Sequence, residues 1–295
     1  MDWFNKFPHM DDSSLRSLKQ AIDEGFRSFT RSYGETIENL FFPLQKFLLL
    51  SERFMTQTPW PIILLIVLVI AWLASRSLKI VFSALFILLA IGYFDMWEDA
   101  MRTISMIFVS TILSIVIGLP IGIFMGRSER LQKIINPILD VMQTMPSFVY
   151  LIPVVMLLGI GRVPGLIAVV IYAIPPIIRL TNLGIRLVDR DVLEAADAFG
   201  SSNAQKLFKV QLPLALPTIM AGINQTIMMA LAMVVVASMI GVQGLGQPVL
   251  KAIANQYFTL GVFNGFAIVG IAIIFDRVSQ AYGKRLQKHQ EVVHG

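Results

Sequence analysis

Cysteine is missing from the 295-residue sequence, and histidine is nearly so: His9, His289 and His294 fall in polar stretches near the two ends. Without cysteine there is neither a disulfide nor a thiolate metal site. With no histidine in the apolar segments, no zinc, haem or Cys/His nucleophile site is expected among them. Charge is scarce as well: 15% of the residues are Asp, Glu, Lys or Arg and 56% are apolar, with a mean hydropathy of +0.71. Soluble domains carry about a quarter charged residues, so an ordinary soluble protein is excluded. No Gly-x-x-x-x-Gly-Lys-Ser/Thr phosphate loop is present, and the chain is not expected to hydrolyse ATP by itself. The glycines of Gly241-Val-Gln-Gly-Leu-Gly246 follow an apolar segment rather than a strand and read as a loop. Residues 1–36 lack the basic start, apolar core and small-residue cleavage site of a secretory signal. No basic patch with base-reading or stacking groups is visible, so no nucleic-acid partner is expected.

What the sequence does have is long apolar blocks of membrane-span length. Candidate spans lie at 60–75, 78–94, 103–126, 134–158, 164–186, 213–240 and 260–278, making the chain an all-α polytopic membrane protein with the lipid bilayer as its solvent. Trp60, Trp72, Tyr93 and Trp97 suit the interfacial belts. Several spans contain helix breakers: Gly118-Leu-Pro120, Pro137, Pro146, Pro153, Pro175-Pro176 and Pro217. Broken helices survive in a bilayer where neighbours or a water-lined cavity satisfy the freed backbone groups, which favours a transporter or channel over a passive anchor.

Ahead of the spans, Leu15, Leu18 and Ile22 would share one side of a surface helix. In residues 40–54, Gln45 and Lys46 recur seven positions later as Glu52 and Arg53, so the polar groups are expected on a common face. That pattern fits a helix lying in the membrane interface better than one crossing it. Crossing would bury Lys46 near mid-bilayer, at roughly 2.5–3.5 kcal/mol.

Orientation follows from the distribution of Lys and Arg. Arg76/Lys79, Arg127/Arg130/Lys133, Arg186/Arg190/Lys206/Lys209 and Lys284/Arg285/Lys288 occupy alternate connections. The opposite set is poorer in positive charge: Asp95/Glu98/Asp99 with Arg102 at the edge, Arg162 alone and Lys251 alone. Seven spans then place the N-terminus outside, and the 187–212 connection and the C-terminus in the cytoplasm.

Within the spans few polar groups stand out. Asp140 and Gln143 sit in the fourth and Arg179 in the cytoplasmic half of the fifth. An intramembrane ion has a partner or faces water, so an Asp140–Arg179 pair is one expectation and two separate headgroup-level charges the other. Asn224-Gln225-Thr226 could line a pathway or hydrogen-bond between helices at about 1 kcal/mol each. Met228, Met229, Met233 and Met239 suit bundle packing.

The 187–212 connection is the longest polar interval between the spans. Asp191 and Glu194 have capping-box spacing, Gly200 suits a helix stop, and Ser202 with Gln205 repeats the box for a second short helix bounded by Pro213. A solvated connector and a docking element both fit that pattern.

Glu194-Ala195-Ala196, then Gly200, then Leu212-Pro213, resembles the EAA signature of permease subunits of bacterial ABC importers; Val210 stands where that signature usually has isoleucine. Asp140-Val-Met-Gln-Thr-Met-Pro-Ser-Phe-Val-Tyr-Leu-Ile-Pro153 and Leu207-Phe-Lys-Val-Gln-Leu-Pro-Leu-Ala-Leu-Pro-Thr-Ile-Met-Ala-Gly-Ile-Asn-Gln-Thr226 resemble the glycine betaine/proline branch, and the similarity runs from about 60 to 282.

The resemblance implies a type I ABC importer permease fold of about seven transmembrane helices plus an N-terminal interfacial amphipathic helix, in a bacterial inner membrane. Its organisation would be a polar tail and interfacial helix at 1–58, a two-helix scaffold at 59–98, a five-helix core at 99–278 and a tail at 279–295. It implies that Glu194, Ala195, Ala196, Gly200, Ser202, Lys206, Leu212 and Pro213 couple to an ATPase. The partners would be two copies of that ATPase, which binds the ATP and Mg, a second permease copy, and a separate extracytoplasmic substrate-binding protein. Aromatic groups gripping a quaternary ammonium by cation–π attraction would lie on that binding protein. The substrate would be glycine betaine or proline betaine, with choline, carnitine, trimethylamine N-oxide or a sulfonium compound as alternatives. Against this stands an ion-coupled secondary transporter or osmotic channel, for which Asp140 is the available carboxylate and which leaves 191–209 without a task.

Overall fold

A computed structural model describes Phe7 and residues 9–294; the side chains of Glu38 and of 287–294, which include Lys288, His289 and His294, lie outside the described residues. The described chain is helical. It begins with α1 (Asp12–Gln57), α2 (Trp60–Ser75), α3 (Leu78–Tyr93) and α4 (Trp97–Arg127). The fourth expected span divides into α5 (Glu129–Thr144) and α6 (Ser147–Leu158), and the fifth into α7 (Arg162–Ala173) and α8 (Pro175–Arg186). The polar interval holds α9 (Arg190–Ala198) and α10 (Asn203–Lys206), and α11 (Leu212–Ala237), α12 (Gly246–Asn255) and α13 (Phe258–His294) complete the chain.

Four units are long and apolar enough to cross a membrane: Trp97–Arg127, Arg162–Arg186, Asn203–Ile240 and Phe258–Leu286. Two bent pairs pass the same test together. The C-terminal part of α1 meets α2 at 110°, and α5 meets α6 at 99°. The expected span at 134–158, with its internal prolines, is a helix, a right-angle turn and a second helix. Pro146 causes the turn, because proline disfavours helical geometry at the residue before it; Met145 is extended at φ −68°, ψ 134°.

The two amphipathic stretches expected before residue 57 join into α1, a single helix of 46 residues that runs through Pro43. Asp11 starts it by accepting from the Ser13 N–H. Its C-terminal half packs on α4, α6 and α7, with Leu48 buried. The common polar face expected there is not observed. Consecutive helical residues point about 100° apart, so Glu52 turns inward, with 14% of its side chain exposed, while Arg53 stays outside.

Helix α8 forms the centre of the bundle, held between α4 and α11. Apolar side chains gain little by exchanging lipid for another helix, so close backbone approach has to supply the attraction. Helix α4 provides it with Gly118, Gly122 and Gly126, all of which face α8. A Cβ at Gly122 would lie 2.6 Å from Thr181 Cβ and 2.7 Å from the Ile178 carbonyl oxygen. On the other side of α8, Gly184 abuts Ala215 and Gly222 abuts Leu180.

Because the obstruction at Gly122 includes backbone, Gly122→Val is expected to cost about 1–3 kcal/mol of overpacking. The purified protein should show a lowered thermal midpoint in detergent. Gly25→Ala, where a Cβ meets nothing within 4 Å, should leave that midpoint unchanged or raise it.

Candidate functional site

The polar interval after α8 folds as a capped helix, a glycine turn and a second capped start. Helix α9 begins at Arg190, and its N-cap is Asp189, whose carboxylate accepts from the Asp191 N–H at 2.9 Å. The capping box expected from Asp191 and Glu194 is thus displaced, because Asp191 already lies inside the first turn. There its charge suits the helix dipole. At the other end the Ser201 N–H bonds to the Ala196 carbonyl at 3.0 Å and the Gly200 N–H to the Asp197 carbonyl at 2.9 Å. That pair of bonds is a Schellman stop, which needs a left-handed residue, and Gly200 has φ +74°.

The second capping box forms as expected. Ser202 Oγ accepts from the Gln205 N–H at 3.3 Å, and Gln205 Oε1 accepts from the Ser202 N–H at 2.8 Å. Pro213 does not end the helix that follows. A π turn at Leu207–Gln211 carries α10 directly into α11, the Leu212 N–H reaching back to the Leu207 carbonyl. Widening the helix by one residue before a proline lets the chain pass without a break.

Lys206 serves within the chain: its Nζ lies 2.5 Å and 2.7 Å from the two carboxylate oxygens of Asp197, drawing the short helices together across Gly200. Glu194, Ala195, Ser202 and Pro213 are exposed, while Ala196 and Leu212 are half-buried. The outermost groups are apolar. Phe199 is 90% and Phe208 66% exposed, with Leu187 and Val192 also open. Sequence reasoning passed over these side chains. Their signal was large apolar residues in an interval with no core to enter.

The residues expected near a pathway divide. Arg179 Nη2 does meet Asp140 Oδ1, at 2.5 Å, with 63% of the Asp140 side chain exposed. Gln143 is exposed on the same helix. On α11, Asn224 donates to Asp276 Oδ1 at 3.2 Å and accepts from Ser279, which fastens α11 to α13. Gln225 is exposed, and Thr226 is fully buried with its hydroxyl unpartnered. No hydrogen bond or ion pair links the α5 set to the α11 set among the described residues. Asp276 was missed because it lies at the edge of an apolar block.

Arg162 is not isolated. It meets Glu52 at 3.1 Å and Gln243 at 2.6 Å, and Glu52 also faces Arg102 at 3.6 Å, so one carboxylate fastens α1 to both α4 and α7. Arg186 likewise does more than orient the chain, donating to the Met125 carbonyl at 2.9 Å near the end of α4. Among the described residues no group of three or more His, Cys, Asp or Glu could hold a metal ion.

For a partly exposed pair, the Lys206–Asp197 contact is expected to contribute about 0.2–1 kcal/mol. Lys206→Asp should speed proteolysis between Phe199 and Ser202 in oriented vesicles, and adding Asp197→Lys should restore the resistance. Exchanging Asp140 and Arg179 should likewise recover folded yield that either single change loses.

Residues 118–288 match the family described as binding-protein-dependent transport system inner membrane component. The chain is 46% identical over 271 residues to the glycine betaine/proline betaine transport system permease protein ProW of Escherichia coli, covering 92% of this chain and 76% of that one. It is 53% identical over 215 residues to ProW of Salmonella typhimurium, covering 73% of this chain and 60% of that one. The fold is similar to that of the MetNI methionine ABC transporter in inward-facing conformations, with a TM-score of 0.58 at 22% identity, over 63% of this chain and 93% of that one. The chain belongs to the family of inner-membrane components of binding-protein-dependent transport systems.

Proposed function

We propose that this multi-pass inner-membrane protein is the permease of an ATP-driven importer for glycine betaine, proline betaine or a closely related methylated amine. The observation that carries the reading is the capped turn at 189–206, which holds Phe199 in water on a chain 46% identical to a betaine permease. An aromatic side chain fixed in that position is a docking group, since burying it would gain about 1.5–3 kcal/mol.

The complex contains an ATPase and a substrate-binding protein. In our reading two permease copies pair with two ATPases, the N-terminus lies outside, and the 187–212 segment and the C-terminus face the cytoplasm. ATP and Mg belong to the ATPase. Its closure would draw the two coupling segments together and rock α11, with which each segment is continuous, and α8, which the short 187–189 turn joins to it, toward an outward-open state by rigid-body movement. Glu194 would add charge beside Phe199 at the docking surface. The Asp140 carboxylate is engaged by Arg179, which disfavours it as the free acid of an ion-coupled transporter.

Reconstitution with the ATPase and the binding protein tests this reading. A Cβ at Gly200 meets nothing within 4 Å, so Gly200→Val acts through the left-handed backbone alone, at about 1–2 kcal/mol or more. It should reduce substrate-stimulated ATP hydrolysis roughly tenfold, for which 1.4 kcal/mol suffices, while membrane insertion stays normal. Phe199→Ser should do the same by weakening ATPase binding. Uptake of glycine betaine by the chain without an ATPase would overturn the proposal.

A further inference from the structure

The 110° elbow between α1 and α2 leaves a space that no side chain fills. Helix α1 leans on α4, α6 and α7, whereas α2 leans on α3 and α13, and the two arms diverge. Between them, closed behind by α4 and α13, lies a cavity of about 640 Å³ lined by Leu50, Phe54, Val67, Ile70, Phe108 and Phe275 among others. That is roughly four times the ~150 Å³ apolar cavity known to take up benzene.

Water is a poor occupant. A buried water needs two to four polar partners, and the polar side chain on this wall is Ser51, whose hydroxyl is already bonded to Ser105 at 2.9 Å. Leu50, Phe54 and Ile70 at the rim are exposed, so the space opens to whatever surrounds the helices. For a membrane-spanning unit that medium is hydrocarbon.

The rim also carries charge of one sign. Lys46 and Arg53, seven residues apart, share a flank of α1 that borders Leu50; both are exposed, and neither has an ion-pair partner among the described residues. Lys46 Nζ sits 4.7 Å from the centre of the exposed Phe42 ring. A cationic edge beside a dry apolar slot matches a phosphate joined to an acyl chain.

We propose that the elbow binds a bilayer phospholipid, one acyl chain filling the cavity and the phosphate resting on Arg53 and Lys46. The lipid then forms part of the joint between α2 and the core, replacing the protein contact that the elbow prevents.

The full chain, assembled with its partner subunits in vesicles of phosphatidylethanolamine and phosphatidylglycerol, can be released into detergent and weighed by native mass spectrometry. A phospholipid should remain on each permease chain. Val67→Trp, which fills the slot, should reduce its retention roughly tenfold. Should Val67→Trp fail to insert, Lys46→Gln with Arg53→Gln decides the matter, because both sites are exposed; retention should fall several-fold while insertion and assembly stay normal. Unaltered retention in the variants, or no phospholipid on the wild type, would overturn the proposal. Disulfide trapping of Leu50→Cys between two permease copies would overturn it too, by making a second chain the occupant.

Discussion

Close backbone contact between α4 and α8 is the constraint on which the rest of the molecule depends. Lipid tails satisfy an apolar helix as well as a neighbouring helix does, so association must come from dispersion at short range and from hydrogen bonds. Gly118, Gly122 and Gly126 let α4 lie directly against Ile177, Thr181 and Ile185 of α8. Gly184 and Gly222 repeat the arrangement toward α11. The Arg186 side chain then seals the C-terminal end of the α4–α8 contact through the Met125 carbonyl. Because the polar interval begins immediately after α8 and passes without a break into α11, both of its anchors are clamped. A force applied to that segment reaches the centre of the bundle through α11, which continues it without a break, and through the short 187–189 turn into α8.

The polar residues inside the bundle act mainly as fastenings. Asp140 is engaged by Arg179, Asn224 by Asp276 and Ser279, and Glu52 by Arg162 and Arg102. Each joins helices that are distant in sequence, and Glu52 and Asn224, both at least half-buried, meet the demand that an ion or amide in a low-dielectric setting find a partner. Glu52 is the most economical case. One carboxylate near the end of α1 secures an otherwise peripheral helix to two elements of the core, which fixes the elbow and with it the gap beside α2.

Local chemistry was readable from the sequence, and cooperative geometry was not. Gly200 and the Ser202–Gln205 box were legible because their requirements are met within four residues: a left-handed stop and a reciprocal pair of hydrogen bonds. The apolar blocks marked the spans for the same reason. Asp191 misled because Asp189, two residues earlier, offers the same carboxylate and lies nearer the turn out of α8. Pro213 misled because the π turn before it is a response to continuing the helix into a buried α11, and nothing local specifies that continuation. Glu52 was assigned to an outer face because a heptad count treats adjacent positions as neighbours, whereas its arginine partners lie 50 and 110 positions away.

The site itself was half legible. The motif located the proposed docking segment, but the exposed aromatic groups emerged only from the fold, since a phenylalanine in sequence gives no sign of whether it will find a core. Phe199 finds none: the Schellman stop ends α9 beside it, the Lys206–Asp197 pair holds the two short helices together, and its ring stays 90% exposed. A turn that flexed could hide that ring against its own backbone. Two capped helix ends, a glycine stop and an ion pair within eighteen residues prevent this, so the chain bears the exposure as a fixed cost. On the proposed reading, the stiffness that makes the exposure unavoidable is also what a coupling element requires, because a movement imposed at Phe199 would be passed toward α8 and α11 instead of being absorbed in the loop.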